Sequence, residues 1–131
     1  MADEIICLDT SILIDFYRKK AKEKSVFFQL TTKYNLFAVS IVTEYEIMIG
    51  ADTTEQIQYW TSFFDKVIIL PFDKAANNRA TEITKHLNAT NKLIEVPDIF
   101  IGATALSNNM KIATLNKKHF ERIPWLEILE N

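Results

Sequence analysis

Short apolar runs alternate with amphipathic stretches along this chain, and each alternation predicts a strand followed by a helix. Ile5–Leu8 is the first run, four apolar residues closed by Asp9 and Thr10. A run so short and apolar on both faces predicts a buried strand of a parallel sheet. Thr10 or Ser11 is then placed to cap a helix with Ile12, Leu13 and Phe16 on its inner side. A second helix, Ser25–Lys33, is expected to bury Phe27, Phe28 and Leu30. Leu36–Val39 reads as the second strand, followed by Ser40 as a cap and a helix that runs to Gly50, where a C-terminal glycine is expected. Thr54–Phe64 puts Ile57, Trp60, Phe63 and Phe64 on one helical face. Val67–Leu70 is a third buried strand, stopped by Pro71. Asp73 then caps a helix whose Ala76, Ala80, Ile83 and Leu87 recur at spacings of four, three and four. Pro97 starts a helix through Ile99, Ala103 and Leu106 that ends at Asn108-Asn109. Lys111–Leu115 is the fourth strand, and Leu126–Leu129 is a candidate fifth at the sheet edge. Strands alternating with helices imply an α/β domain, with a mainly parallel sheet and helices on both faces.

No repeat or linker divides the 131 residues, so the whole of 1–131 is expected to be one domain. The 48% hydrophobic content excludes a disordered chain, and two glycines with three prolines are too few for an all-β sandwich. A net charge of −2 gives no global positive field, so contact with a polyanion requires a local patch or a bound cation. The single cysteine, Cys7, excludes a disulfide framework and a Cys-based zinc site. No run approaches the ~18 apolar residues of a membrane span, and the N-terminus is acidic where an export signal is basic. A cytoplasmic protein without membrane contact is the expectation.

Ligands of open α/β sheets bind at the carboxyl ends of the strands, which directs attention to the polar residues there. Asp9 ends the first strand. Ser40 and Thr43 follow the second, with Glu46 nearly one turn beyond Thr43. Asp98 opens the Pro97 helix, and Thr114 and Asn116 close the fourth strand. Convergent carboxylates repel, and a hard cation such as Mg²⁺ or Mn²⁺ relieves that cost. Each acid also has a plain structural reading: Asp9 as a helix N-cap, Asp98 as a favourable first-turn acid, Glu46 as an exposed helix residue. Glu44 fits the last of these better than Glu46 does. Other chemistries fail. No Gly-x-Ser-x-Gly elbow accompanies His86 or His119, and with only Gly50 and Gly102 there is no phosphate-binding glycine loop.

The segment Leu8-Asp9-Thr10-Ser11-Ile12-Leu13-Ile14-Asp15 resembles the opening motif of PIN-domain nucleases, especially VapC toxins of toxin–antitoxin pairs. Ser40-Ile41-Val42-Thr43-Glu44-Tyr45-Glu46-Ile47-Met48-Ile49-Gly50 resembles their second motif and selects Glu46 over Glu44. Pro97-Asp98-Ile99-Phe100-Ile101-Gly102-Ala103-Thr104-Ala105-Leu106 resembles the third, and Ala113-Thr114-Leu115-Asn116-Lys117-Lys118-His119-Phe120-Glu121-Arg122-Ile123-Pro124 the last. The four motifs stand in family order over nearly the whole chain. Their fourth acid is replaced: His119 stands where these nucleases often carry an aspartate, and Asn116 is uncharged.

That resemblance implies a three-layer α/β/α PIN-like domain and metal-assisted hydrolysis of an RNA phosphodiester. Asp9, Glu46 and Asp98 would hold Mg²⁺ (or Mn²⁺), with Thr10, Ser11 and Thr114 orienting the carboxylates. Ser40, Thr43, Asn116 and His119 are further candidates for the support or the fourth position. Arg18, Lys19, Lys20, Lys22 and Lys24, five of the 15 basic residues, and Lys117, Lys118 and Arg122 are candidate phosphate contacts. The expected partners are an RNA substrate, an antitoxin covering the acidic pocket and a second copy of the chain. Two other readings remain open. One is a PIN-fold module that binds RNA or protein without cleaving. The other is a receiver-like phosphate-binding domain, which needs an acidic pair beside the phosphoacceptor and a lysine at a later strand end; Thr114 has no adjacent lysine before Lys117.

Overall fold

The computed structural model describes residues 4–130; the acidic Met1–Asp3 stretch of the export-signal reading lies outside them. Four parallel strands form one sheet in the order β3-β2-β1-β4: β1 (Ile5–Leu8), β2 (Leu36–Ser40), β3 (Ile68–Leu70) and β4 (Ile112–Ala113). Ile5 pairs with Leu36 and Leu8 with Val39. Ala38 pairs with Ile68 and Leu8 also with Ala113. Among the described residues seven α-helices accompany them: α1 (Thr10–Arg18), α2 (Val26–Thr31), α3 (Ile41–Ile49), α4 (Thr54–Phe64), α5 (Lys74–Ala89), α6 (Val96–Ser107) and, after the last strand, α7 (Lys117–Phe120). A 3-10 turn at Lys22–Lys24 separates α1 from α2.

The alternation of side chains along β1 builds two cores. Cys7, with Ala38 and Ile112, faces Ile83 and Leu87 of α5 and Ile99 and Ala103 of α6. Ile6 and Leu8, with Val39 and Ala113, face Ile12 and Leu13 of α1, Leu30, Ile47 and Trp60. This makes three layers, α/β/α. Gly102 marks the tightest approach: a Cβ there would overlap the Ile123 side chain, so α6 packs flush against the segment after α7.

Several expectations change. The cap of α1 is Asp9, whose carboxylate accepts from Ile12 N, rather than Thr10 or Ser11. A carboxylate at the strand end reaches the third helical amide directly, which leaves both hydroxyls for other partners. The fourth strand shrinks to Ile112–Ala113, because Thr114 already turns its hydroxyl to Asp9. The fifth is a single bridge, Ile112 with Ile128. Phe28 is 42% exposed; it stands one position round the short helix from Phe27, whose face Leu30 shares.

Candidate acidic site at the strand ends

The parallel strands end at one edge, and the caps that start the following helices lie there. Asp9 N donates to the Ala113 carbonyl at 3.1 Å, so the β1 end is tied to β4 just where the acid projects. Asp9 is only 3% exposed. Its Oδ1 accepts from Ser11 Oγ at 2.6 Å and from Ile12 N at 3.2 Å, and its Oδ2 from Thr114 Oγ1 at 2.5 Å. Both hydroxyls are themselves fixed: Ser11 Oγ accepts from Leu115 N at 2.9 Å, and Thr114 Oγ1 from Asn116 N at 2.8 Å. The Asp9 carboxylate is therefore clamped in one orientation by two hydroxyls and an amide.

Burial pushes the Asp9 carboxyl above the usual range, and the Asp98 charge adds to the effect. The hydrogen bonds from Ser11, Thr114 and Ile12 oppose it without cancelling it. Cys7, beneath it on β1, is fully buried, and burial together with the Asp9 charge pushes its thiol up to about 12.

Asp98, in the first turn of α6, has a side chain 19% exposed and its Oδ2 lies 3.1 Å from His119 Nδ1. Asn116 Nδ2 is drawn 2.8 Å from that same Nδ1. One ring nitrogen serves both neighbours only if it carries the proton. A protonated Nδ1 donates to Asp98 and to an Asn116 amide turned to present its oxygen; an unprotonated one accepts from Asn116 and leaves Asp98 without that donor. Glu46, on α3, accepts from Thr10 Oγ1 at 2.6 Å through Oε1, and Thr43 Oγ1 lies 3.2 Å from the same hydroxyl. Ser40 is buried, with its hydroxyl accepting from Val42 N at 3.0 Å as the α3 cap. Glu44 is in the first turn of α3 and half-buried.

The structure thus places Thr10, Ser11, Thr43, Thr114, Asn116 and His119 around three carboxylates. It does not draw those carboxylates tightly together: among the described residues no three His, Cys, Asp or Glu side chains converge closely enough to hold a metal ion by themselves.

The basic residues divide. Lys22 donates to the carbonyls of Phe16 at 2.5 Å and Tyr17 at 2.9 Å, closing the end of α1 with its ammonium 4.9 Å from the Phe16 ring centroid. Lys19 pairs with Asp15 at 3.0 Å and Lys117 with Glu130 at 3.5 Å. Arg18, Lys20, Lys24 and Lys118 are exposed. A cation absent from the sequence reading, Lys92, faces the same recess as Lys118 and Arg122. Nothing in the composition around Thr90-Asn91 distinguishes it from a solvated turn lysine.

Comparison with known proteins gives a consistent result. A family profile described as PIN domain matches residues 6–126. The chain is 32% identical over 126 residues to Ribonuclease VapC1 of Methanocaldococcus jannaschii, covering 90% of this chain and 80% of that protein. It is 24% identical to a chain of the DNA-bound VapBC structure from Salmonella typhimurium, with a TM-score of 0.84 over 96% of this chain and 97% of that one. A chain of a toxin–antitoxin complex from Klebsiella pneumoniae is 26% identical, with a TM-score of 0.74 over 91% and 92% of the two chains.

Proposed function

We propose, from the premise that this chain belongs to the PIN-domain family and to its VapC group, that it is a divalent-cation-dependent endoribonuclease held in check by an antitoxin. The observation that carries the proposal is the buried Asp9 carboxylate, clamped by three donors at the strand ends and raised in pKa by burial and by Asp98. An acid kept charged in that position is costly unless a cation faces it.

The residues fit such a cation. The donors are hard oxygens from Asp9 and Asp98, which repel each other, with Glu46 nearby on α3. Mg²⁺ keeps several of its waters and takes only one or two carboxylates directly, so it needs no close triad. When bound, the ion lowers the pKa of a water and offsets charge on the phosphoryl oxygens. The chain's own residues prepare that chemistry. Ser11, Thr114 and the Ile12 amide fix Asp9, Thr10 fixes Glu46, and His119 fixes Asp98, so no acid has to reorient when substrate arrives. Exposed Arg18, Lys20 and Lys24 are available to strand phosphates, while Lys22 is held as the closing contact of α1.

The partners follow from surfaces. A groove of about 810 Å³ lined by Phe16, Phe27, Phe37, Tyr59 and Phe63 among others suits an apolar antitoxin segment. The homodimer reading is supported by Ile41, Tyr45 and Ile49 at four-residue spacing on α3, 39%, 63% and 64% exposed. No helix among the described residues is long and apolar enough to cross a membrane.

The test uses a structured RNA, with the metal removed by EDTA and then restored. A water nucleophile leaves no 2′,3′-cyclic phosphate and still cuts a strand whose scissile nucleotide lacks its 2′-hydroxyl. Cleavage that depends on the 2′-hydroxyl would refute the proposed chemistry. Tight RNA binding with no cleavage under any divalent metal would favour the binding-module reading, which the replaced fourth acid supports.

A further inference from the structure

Beside the acidic site, α7 and the turn after α5 enclose a recess of about 540 Å³ lined by Asn91, Lys92, Lys118, Glu121 and Arg122. Three of these five are cations in a chain whose net charge is −2. Among the described residues none of the three lies within ion-pair distance of a carboxylate. Glu121 is the one carboxylate of the lining and leaves the recess a formal surplus of positive charge, whose mutual repulsion a bound anion relieves.

The recess has fixed walls. Asn91 adopts a φ of 56°, in the left-handed region that asparagine tolerates, and Lys92 N donates to the Leu87 carbonyl at 2.8 Å, closing α5. Arg122 Nη1 donates to the Leu93 carbonyl at 3.3 Å and so fastens that turn to the segment after α7. A guanidinium has five N–H donors, and this contact uses one. Arg122 N in turn donates to the His119 carbonyl at 3.2 Å, continuing the winding of α7. At four residues apart, Lys118 and Arg122 then share one side. Lys118 is next in sequence to His119, whose Nδ1 is 3.1 Å from Asp98. Adjacent Cα atoms are about 3.8 Å apart, so this cationic wall begins one residue from His119, the side chain that contacts Asp98. Lys117 is not part of it, being paired with Glu130.

We infer that this recess is a phosphate subsite for the substrate strand. It holds a backbone phosphate of single-stranded RNA next to the one presented to the carboxylates, with Lys92 and Lys118 as point charges and Arg122 as an oriented donor. The inference rests on the ribonuclease reading and adds to it a place where the strand, repelled by the acids, gains its binding energy.

The experiment compares the whole protein with the double variant Lys92→Gln/Lys118→Gln and with a charge-matched control, Lys33→Gln/Lys74→Gln, whose residues lie on other elements. Binding of a labelled oligoribonucleotide is followed in EDTA across a salt series, and cleavage is measured separately with metal. Each phosphate contact on a single strand contributes about 0.7 to the slope of log K against log salt. The recess variant should lose about 1.4 in slope and on the order of tenfold in affinity at ~0.1 M salt, for any RNA sequence. Its KM should rise while kcat holds. The loss should vanish for a short oligomer that spans only the scissile bond. Losses equal to the control's, or an unchanged slope, overturn the subsite while leaving the ribonuclease reading intact. A parent protein that neither binds nor cuts RNA overturns both.

Discussion

Replacing Thr114 with valine removes one hydroxyl and keeps the shape. The hydroxyl is fully buried, donates to Asp9 Oδ2 at 2.5 Å and accepts from Asn116 N at 2.8 Å. A hydrogen bond to a charged group contributes about 1.5–3 kcal/mol, and a part-buried amide left without a partner costs about 1 kcal/mol, the low end of the buried range. The added methyl returns about 0.8 kcal/mol. The net loss is about 2–3 kcal/mol in metal-free buffer at neutral pH, and it should depend on pH in a defined direction. The folded-state pKa of Asp9 is already raised, and losing a donor to the carboxylate raises it further. In the window above the unfolded value the native state then binds more protons than the unfolded one, so stability falls as pH rises through it. The deficit of Thr114→Val against the parent is therefore largest near neutrality and shrinks as acidification protonates Asp9. Urea denaturation at fixed protein concentration, from about pH 5 to pH 8, reads this directly. Thr114→Ser keeps the hydroxyl and should lose about 1 kcal/mol with the parent's pH dependence. A Thr114→Val deficit that is constant with pH, or below about 0.5 kcal/mol, would refute the claim that this hydroxyl supports a charged Asp9.

Cys7, fully buried with a thiol pushed up to about 12, should react with a disulfide reagent in mildly alkaline buffer only as fast as the chain opens; rapid labelling of the native protein would contradict its placement. Asp15 accepts from Val26 N and Lys19 Nζ, each at 3.0 Å, and these contacts hold its carboxyl below the usual range although burial opposes them. Asp15→Asn should cost about 1 kcal/mol above the unfolded pKa and progressively less as pH falls through the folded one, measured by denaturation in acid. His119→Asp brings a further carboxylate to Asp98: metal-free melting should fall through repulsion, and calorimetric Mg²⁺ affinity should rise about tenfold, since Mg²⁺ prefers oxygen to imidazole nitrogen. The parent should also favour Mn²⁺ over Mg²⁺ more than the variant does, and identical metal affinities would mean that position 119 does not serve the site.

The three-layer fold was legible because apolar runs and amphipathic helices obey different periods, and Asp9, Ser40 and Thr114 fall at strand ends in consequence. The edges were less legible. Leu126–Leu129 has strand composition, yet it meets β4 at one bridge because β4 itself is only two residues long. The resemblance selected Glu46, and in the structure it is Glu46 that meets Thr10, 36 positions away in sequence. Spacing alone carries no such information. Lys22 read as one of a cationic run, but Ser25 and the 3-10 turn fold it back onto the end of α1. Lys92 was invisible because its neighbours in the recess come from a segment that sequence distance hides.

We propose that Asp9, Glu46 and Asp98 act through a divalent cation. Cleavage of one structured RNA across a Mg²⁺ titration, by the parent and by Asp9→Asn, Glu46→Gln, Asp98→Asn and Glu44→Gln, tests it most directly, with circular dichroism confirming that each variant is folded. The parent should be silent in EDTA and restored by Mg²⁺. The first three variants should each lose on the order of a hundredfold or more, about 2.7 kcal/mol of barrier, while Glu44→Gln stays within about twofold. Metal-independent cleavage, or a Glu44→Gln variant that is dead beside an active Glu46→Gln, would contradict it.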